Sequence, residues 1–140
     1  MNLESIVIKM EDVPGALTQF QTVVRMLIHP EITDTPENVS VLMVMLPVGT
    51  ATGLHKHKES DEYEYIVSGT GVLEAGDRKD IPVEPFMMVY NPLGIMHEIR
   101  NTGDETMYLL RIHVPALIPE EPGDIIDKAI TEAKGRKEDM

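Results

Sequence analysis

The feature that most constrains the fold of this chain is the short interval between its turn signals. Clusters rich in Gly, Pro, Asn and Asp occur at residues 47–49, 68–71, 76–77, 91–94 and 101–104. The segments between them are short and rich in apolar and β-branched residues: 40–46, 63–67, 71–73, 86–90, 97–100 and 107–114. Many short strands at near-regular spacing are typical of an antiparallel sandwich or barrel. We therefore predict an all-β fold for residues 38–115.

The two ends of the chain have a different character. Residues 1–37 contain two candidate strands, 5–9 and 22–28, which we expect to pack on the barrel or on a partner subunit. Residues 116–140 contain one short candidate helix, 124–134, with Asp124 as its N-cap and Gly135 at its end. Its apolar residues fall on one stripe, followed by a charged tail.

Composition narrows the classes of function. The chain has 140 residues, within the usual size of one domain, and no cysteine, so disulfides and thiolate metal sites are excluded. A net charge of −12 disfavours binding to nucleic acid or to anionic membranes. The N-terminus lacks a secretory signal pattern and no apolar run is long enough to span a bilayer, so we expect a cytoplasmic location.

Three histidines and one glutamate stand out as candidate metal ligands. His55 and His57 are two residues apart, and on extended chain such side chains point to the same side. Glu62 follows after a short loop, and His97 comes later, beyond a Pro-Leu-Gly turn. Imidazole and carboxylate together suit zinc, iron, manganese, nickel or copper, and an octahedral ion would keep two positions open.

The spacing of these residues resembles the cupin superfamily. The first cupin motif, G(X)5HXH(X)3-4E(X)6G, is matched by Gly49, His55, His57, Glu62 and Gly69. The second motif, G(X)5PXG(X)2H(X)3N, is matched by Pro92, Gly94, His97 and Asn101, with Phe86 in place of its first glycine.

The resemblance to small single-domain cupins has several implications for this chain. It implies a double-stranded β-helix, or jelly-roll barrel, with one divalent metal ion (Fe, Mn, Ni or Zn) inside. In this chain the ion would be bound by His55, His57, Glu62 and His97. Cupins are often dimeric, and the N-terminal segment and the apolar face of the helix must cover something, so we expect a homodimer.

Two further carboxylates lie close to the candidate ligands. Glu64 is two residues after Glu62, so strand alternation places it on the same inward face, where it is a candidate catalytic base or extra ligand. The alternative is that Glu64 reaches solvent or a lysine at a wet strand edge. Asp61 is an alternative ligand to Glu62, but only Glu62 keeps the six-residue gap to Gly69.

Other residues near the motifs have open roles. Arg25, Arg111 and His113 could bind a substrate carboxylate if they point into the barrel. Arg111 and His113 share one face of their strand, but the opposite face, residues 108–114 in alternation, is more apolar and is the alternative interior. Several of the ten methionines flank the motifs and could line a pliable pocket, although core packing is favoured: Met43, Met45, Met87, Met88 and Met96.

The sequence is consistent with two functions. The first is a metal-dependent enzyme acting on a small polar molecule, of the dioxygenase, lyase, isomerase or decarboxylase type. The second is a metal-containing module that binds or senses a small ligand without turnover.

Overall fold

The computed structural model describes residues 3–136 of the chain. Within that range, nine strands form two antiparallel sheets. The strands are β1 (Ala16–Leu17), β2 (Val23–Ile28), β3 (Ser40–Leu46), β4 (Asp61–Ser68), β5 (Gly71–Ala75), β6 (Arg78–Val83), β7 (Met88–Asn91), β8 (His97–Asn101) and β9 (Met107–Val114). Two short helices are α1 (Pro30–Thr33) and α2 (Ile125–Ala133). This architecture confirms the predicted all-β jelly-roll with a short C-terminal helix.

The larger sheet has the strand order β1-β2-β3-β9-β4-β7, and the smaller has the order β6-β5-β8. Strict alternation decides which side chains face the interior: along β3 and β9, every second residue is buried. Leu42, Val44, Ile66 and Leu109 are almost completely buried and form the centre of the core. Burial of these side chains stabilises the sheets and fixes the strand register, since a slip by one residue would expose them.

The turn between β4 and β5 requires glycine at one position. Gly69 has φ +83°, a left-handed conformation that side chains with a Cβ rarely adopt. A Cβ there would also lie 2.6 Å from Met107 Cγ. Gly69 therefore lets β4 turn closely over the start of β9.

Helix α2 covers one end of the larger sheet. Asp124 accepts a hydrogen bond from the Asp127 backbone N–H at 2.9 Å, which confirms it as the N-cap. Ala129, Ile130 and Ala133 are buried, and the helix packs against β1 and β2. The apolar helix face is thus covered by the chain's own barrel and does not require a partner.

The N-terminal region differs from the prediction. Residues 5–9 form no strand, and a single 3-10 turn follows at Met10–Asp12. The apolar pattern of this segment was the signal for a strand, but no strand of the described residues pairs with it. The strand predicted at 22–28 is confirmed as β2.

Three smaller elements were not predicted from the sequence. Strand β6 contains Pro82 and many charged residues, and it is an edge strand, where both are tolerated. Strand β1 is only two residues long. Helix α1 begins at its N-cap His29, which is buried: its Nδ1 accepts from the Glu31 N–H, and its Nε2 bonds the Leu117 carbonyl at 2.8 Å.

The methionines near the motifs neither line a pocket nor pack in the core, so the favoured prediction of core packing is wrong for them. Met43 and Met45 alternate with buried residues and lie on the outer face of β3, while Met87, Met88 and Met96 are exposed. Met26 and Met107 are the fully buried methionines among the core residues. Strand alternation turns Met43 and Met45 away from the interior, so their positions do not indicate a role in the site.

Candidate metal centre

The four candidate ligands lie together at one end of the barrel. The ligating atoms of His55, His57, Glu62 and His97 are all within 4.8 Å of one another. Glu62 comes from the start of β4 in the larger sheet, and His97 from the start of β8 in the smaller sheet. The cluster therefore lies between the two sheets, as the spacing of the motifs predicts.

Backbone pairing positions the histidines. His55 and His97 form an isolated β-bridge, with His55 N–H donating to His97 O at 3.0 Å and His97 N–H donating to His55 O at 2.8 Å. The Gly94 N–H donates to His57 O at 3.0 Å, which ties the loop to the turn before β8. These bonds hold the two motif segments side by side.

The protonation of two imidazoles follows from their partners. His55 Nδ1 lies 2.6 Å from the Gly53 carbonyl, and His97 Nδ1 lies 2.9 Å from the Ile95 carbonyl. A carbonyl oxygen only accepts, so each Nδ1 carries the proton and each Nε2 has a lone pair free to bind a cation. Such carbonyl contacts are the usual outer partners of metal-binding histidines.

One contact tests directly whether a cation fits. His97 Nε2 is buried without a hydrogen-bond partner, although it lies 3.0 Å from Glu62 Oε2. Two lone pairs at that separation repel unless a proton or a cation lies between them. Ligands about 2.1 Å from one ion and at right angles to each other are about 3 Å apart. The residues present therefore fit a divalent metal ion.

Glu62 is held by further polar side chains. Its Oε1 lies 2.9 Å from His113 Nε2 and 3.3 Å from His57 Nε2, and its Oε2 accepts from Asn91 Nδ2 at 2.8 Å. Burial raises the pKa of this carboxyl, but the Arg111 charge and the hydrogen bonds from His113 and His57 outweigh it and hold the pKa well below its usual range. Glu62 is therefore ionised and ready to bind a cation.

Glu64 and Arg111 form a buried ion pair beside this cluster. Arg111 Nε donates to Glu64 Oε1, and it lies 3.7 Å from Glu62 Oε1. Both side chains face the interior, because Glu64 and Arg111 are cross-strand partners on β4 and β9. Glu64 thus lies on the predicted inward face and bonds an arginine, not solvent or a lysine.

Some of the hydrogen-bonding atoms of this ion pair have no partner in the described part of the protein. Glu64 Oε2 and Arg111 Nη2 are buried and have no hydrogen-bond partner among the described residues. Burial raises the pKa of Glu64, and the nearby Glu62 charge adds to the effect, against the opposing Arg111 charge. Glu64 Oε2 is therefore an unused acceptor and Arg111 Nη2 an unused donor, next to the candidate metal centre.

The pKa values of the histidines in this cluster are shifted in different directions. Burial lowers the pKa of His55 to about 3, helped by the Arg111 charge. Burial also lowers the pKa of His113. For His97, burial opposes ionisation, but the adjacent Glu62 carboxylate outweighs burial and raises the pKa. His55 is thus a neutral candidate ligand at ordinary pH.

The structure decides between the alternatives left open by the sequence. The interior face of β9 carries Arg111 and His113, so the more apolar face of Tyr108 and Ile112 is the outer one, and that alternative is wrong. Asp61 points away from the cluster and accepts from the Leu93 N–H. Arg25 is half-buried on β2, where its Nε donates to Val13 O, and it is not part of the cluster.

Two residues of the site were not assigned there from the sequence. The sequence predicts Asn91 only as part of a turn, and His113 only as a carboxylate-binding candidate. Both are cross-strand partners of Glu62, Asn91 on β7 and His113 on β9. The antiparallel register would have placed both residues beside Glu62, but the register can be derived only when it is known which strands are neighbours.

A cavity of about 260 Å³ opens beside His57. It is lined on one side by residues 58–60 and on the other by residues 117–120, which follow β9. Ser60 Oγ donates to Pro115 O at 2.8 Å and joins the two sides. Of the candidate ligands, His57 contributes to its lining.

No helix among residues 3–136 is long and apolar enough to cross a membrane.

Two proteins of known sequence are similar to this chain. An uncharacterized protein of Methanocaldococcus jannaschii is 30% identical over 105 residues, which cover 75% of this chain and 82% of that protein. An oxalate-binding protein of Thermotoga maritima is 36% identical over 67 residues, 48% of this chain and 54% of that protein, so the match spans about half of its length.

A solved structure of similar fold is that of a predicted oxalate decarboxylase from Thermotoga maritima. The two chains superpose with a TM-score of 0.69 at 23% identity, over 77% of this chain and 97% of the other. The family model of the cupin domain matches residues 42–113, which include all four candidate ligands. The chain therefore belongs to the cupin family.

Proposed function

We propose that this cupin is a metal-dependent enzyme that acts on a small carboxylate-bearing molecule. The observation that carries the proposal is the cluster of His55, His57, Glu62 and His97, with lone pairs converging between the sheets. A divalent ion (Fe, Mn, Ni or Zn) bound there would polarise the oxygen atoms of a ligand in its open positions.

Arg111 gives the site a preference for anions. It is a buried cation in the barrel, and its Nη2 has no partner among the described residues. Burial lowers the pKa of a guanidinium, but Glu64 and Glu62 outweigh this, so Arg111 stays charged. A substrate carboxylate accepting from Nη2 would satisfy this donor and be oriented by it.

Glu64 is the candidate for moving a proton. Its Oε2 is unpartnered and faces the same interior, and its raised pKa brings proton exchange closer to neutral pH. The bond from Arg111 to Oε1 fixes the carboxyl, so Oε2 is the oxygen that takes or gives the proton. In this proposal Glu64 is a catalytic residue and Arg111 binds the substrate.

The names of similar proteins suggest the first compounds to test. One relative is an oxalate-binding protein and one structural neighbour is a predicted oxalate decarboxylase. Oxalate is a small dicarboxylate that can chelate a metal ion and still present an oxygen to Arg111. The first of these names also favours the second candidate function, a metal-containing module that binds a small carboxylate without turnover.

The test is a substrate screen with protein stripped of metal and reloaded anaerobically with Fe, Mn, Ni or Zn. Oxalate and other two- to four-carbon oxyacids are followed by NMR for product and by calorimetry for binding. We expect Glu64→Gln to lower kcat by about 10²-fold or more with little change in binding. Arg111→Gln should weaken substrate binding, while Arg100→Gln, on an exposed arginine, is the matched control.

Each outcome separates the two functions. Product formation that depends on Glu64 supports the enzyme. Saturable binding that depends on Arg111, with no product for any metal, supports the binding module and contradicts the enzyme. If none of the metal-loaded forms binds a carboxylate, both functions are wrong.

A further inference from the structure

The segment that follows β9 is held in place although it forms neither a helix nor a strand. The Leu117 N–H donates to Ser40 Oγ at 3.0 Å, and Leu117 O accepts from His29 Nε2 at 2.8 Å. Leu117 itself is buried. Residues 117–120 are therefore a preformed wall of the cavity beside His57, and a ligand that binds there does not have to order this segment.

His57 joins this cavity to the candidate metal centre. Its side chain lines the cavity, and its Nε2 lies 3.3 Å from Glu62 Oε1 within the cluster of candidate ligands. The His57 side chain is 19% exposed, whereas those of His97 and Glu62 are 2% and 0% exposed. A ligand in the cavity would thus lie one imidazole ring away from an ion that His57 binds.

The cavity offers more room than the smallest carboxylates need. Its volume of about 260 Å³ is just below the ~300–1,000 Å³ of typical small-molecule pockets. Oxalate can bind an ion through its own oxygen atoms without any part that extends into the cavity. Occupation of the cavity therefore requires an acid that carries an additional arm.

The lining favours an apolar arm over a second acidic group. Leu117 and Ile118 lie next to each other in the wall, and Ile118 is 58% exposed. The charged residues of the lining are Lys58, Glu59 and Glu120, and together they leave one negative charge in excess. An aliphatic arm would cover the apolar wall, whereas a second carboxylate would meet this excess negative charge.

We propose that the cavity between residues 58–60 and residues 117–120 binds the aliphatic arm of a monocarboxylate whose acid end lies at the metal centre. The inference rests on the proposed function, because it takes the acid end to be held by the ion and by Arg111. The ligands of this class are 2-oxo or 2-hydroxy acids with a short aliphatic side chain, which can chelate an ion through two adjacent oxygen atoms as oxalate does. The arm distinguishes such a ligand from oxalate.

The test is calorimetric binding of oxalate and of three 2-oxo acids to the metal-loaded protein. Relative to pyruvate, 2-oxopentanoate has two more methylene groups, and 2-oxoglutarate has as many carbon atoms as 2-oxopentanoate but ends in a carboxylate. Burial of one methylene tightens binding by about 4-fold, so 2-oxopentanoate should bind about 10- to 20-fold more tightly than pyruvate. 2-Oxoglutarate should bind no more tightly than pyruvate.

The variant Ile118→Ala tests the wall of the cavity. Because Ile118 is exposed, the fold should be kept, and the affinity for pyruvate should stay unchanged. The advantage of 2-oxopentanoate over pyruvate should fall below about 4-fold, the effect of a single methylene. Val48→Ala, at a residue that is 55% exposed and does not line the cavity, is the matched control and should keep the whole advantage.

A second measurement reports contact with the arm directly. In zinc-loaded protein with isotope-labelled isoleucine methyl groups, 2-oxopentanoate should shift the NMR signal of Ile118, which is identified by its loss in Ile118→Ala. Pyruvate should leave that signal in place.

The outcomes separate this inference from the proposed function. If oxalate or pyruvate binds but 2-oxopentanoate has no advantage, the inference is overturned and the proposed function stands. The same conclusion follows if Ile118→Ala keeps the advantage, or if the Ile118 signal does not move at saturation with 2-oxopentanoate. If no carboxylate binds to any metal-loaded form, both are wrong.

Discussion

Two asparagines hold buried positions with different partners. Asn91 donates to Glu62 Oε2 at 2.8 Å, whereas Asn101 donates to the backbone carbonyls of Leu46 and Glu105. The bond from Asn91 orients a candidate ligand, and the bonds from Asn101 tie the end of β8 to the end of β3 and to the turn before β9. The same side chain thus serves the metal centre at one position and the barrel at the other.

Substitution of these two residues should separate metal affinity from stability. Asn91→Ala removes an outer partner of Glu62, so we expect metal affinity to fall by about 10- to 100-fold. Asn101→Ala should lower the free energy of unfolding by about 1–3 kcal/mol and leave metal affinity within a few fold. Competition with a chelating dye and urea unfolding measure the two quantities. Equal losses of metal affinity in both variants would contradict the role given to Asn91.

The lowered pKa of His55 predicts a pH dependence for the metal-free protein. In the unfolded chain His55 takes a proton near its ordinary pKa of 6.5, whereas in the fold burial holds the pKa at about 3. Between these values the unfolded state binds more protons, so stability present above pH 6.5 is lost as pH falls toward 3.

The matched variant isolates this contribution from the other titrating groups. His55→Gln cannot take the proton, so its urea midpoint should fall less than that of wild type between pH 7 and pH 5, in the presence of a chelator. Parallel losses in the two proteins would mean that His55 is not the buried neutral imidazole described here.

At the scale of elements, the turn before strand β7 contains an unusual residue. Phe86 has φ +73°, a left-handed conformation, at the position where the cupin motif carries glycine. Its N–H still donates to Ile66 O at 2.9 Å, so the turn is formed in spite of the departure from the motif. The turn is thus formed with a residue that suits a positive φ less well than glycine does.

Two substitutions at this turn should have opposite effects. Phe86→Gly relieves the left-handed strain and removes a side chain that is 81% exposed, so the stability should stay level or rise by up to about 1 kcal/mol. Phe86→Val adds a β-branched residue where φ is positive and should lower stability by about 1 kcal/mol or more. Thermal unfolding at a concentration where both variants have the same oligomeric state measures this. A glycine variant less stable than the valine variant would contradict the explanation.

What the sequence could predict depended on whether the signal was local. The strands β3, β4 and β9 and the helix α2 were predictable, because their periodicity and caps lie within each segment. The inward face of β9 was not, since a strand apolar on both sides gives no preference and burial of Arg111 depends on Glu64 across the sheet. Strand β6 was missed because an edge strand tolerates charge and proline.

At the scale of the whole molecule, the barrel brings residues 55–62 and residue 97 together from two sheets. The four candidate ligands were predictable because the spacing of both motifs is specific. The residues around them, Asn91, Arg111 and His113, come from strand neighbours that the linear sequence does not reveal. Strands β4, β7 and β9 carry the polar cluster on their inner face and mostly apolar side chains on their outer face.

The central claim is that His55, His57, Glu62 and His97 together bind one divalent ion. It is tested most directly by metal content after anaerobic reloading, measured by mass spectrometry of the elements on wild type, His97→Ala, Glu62→Ala and the control Asp61→Ala. The account predicts one metal ion per chain in wild type and in the Asp61 variant, and little or none in the other two. One ion per chain in the His97 and Glu62 variants would contradict it.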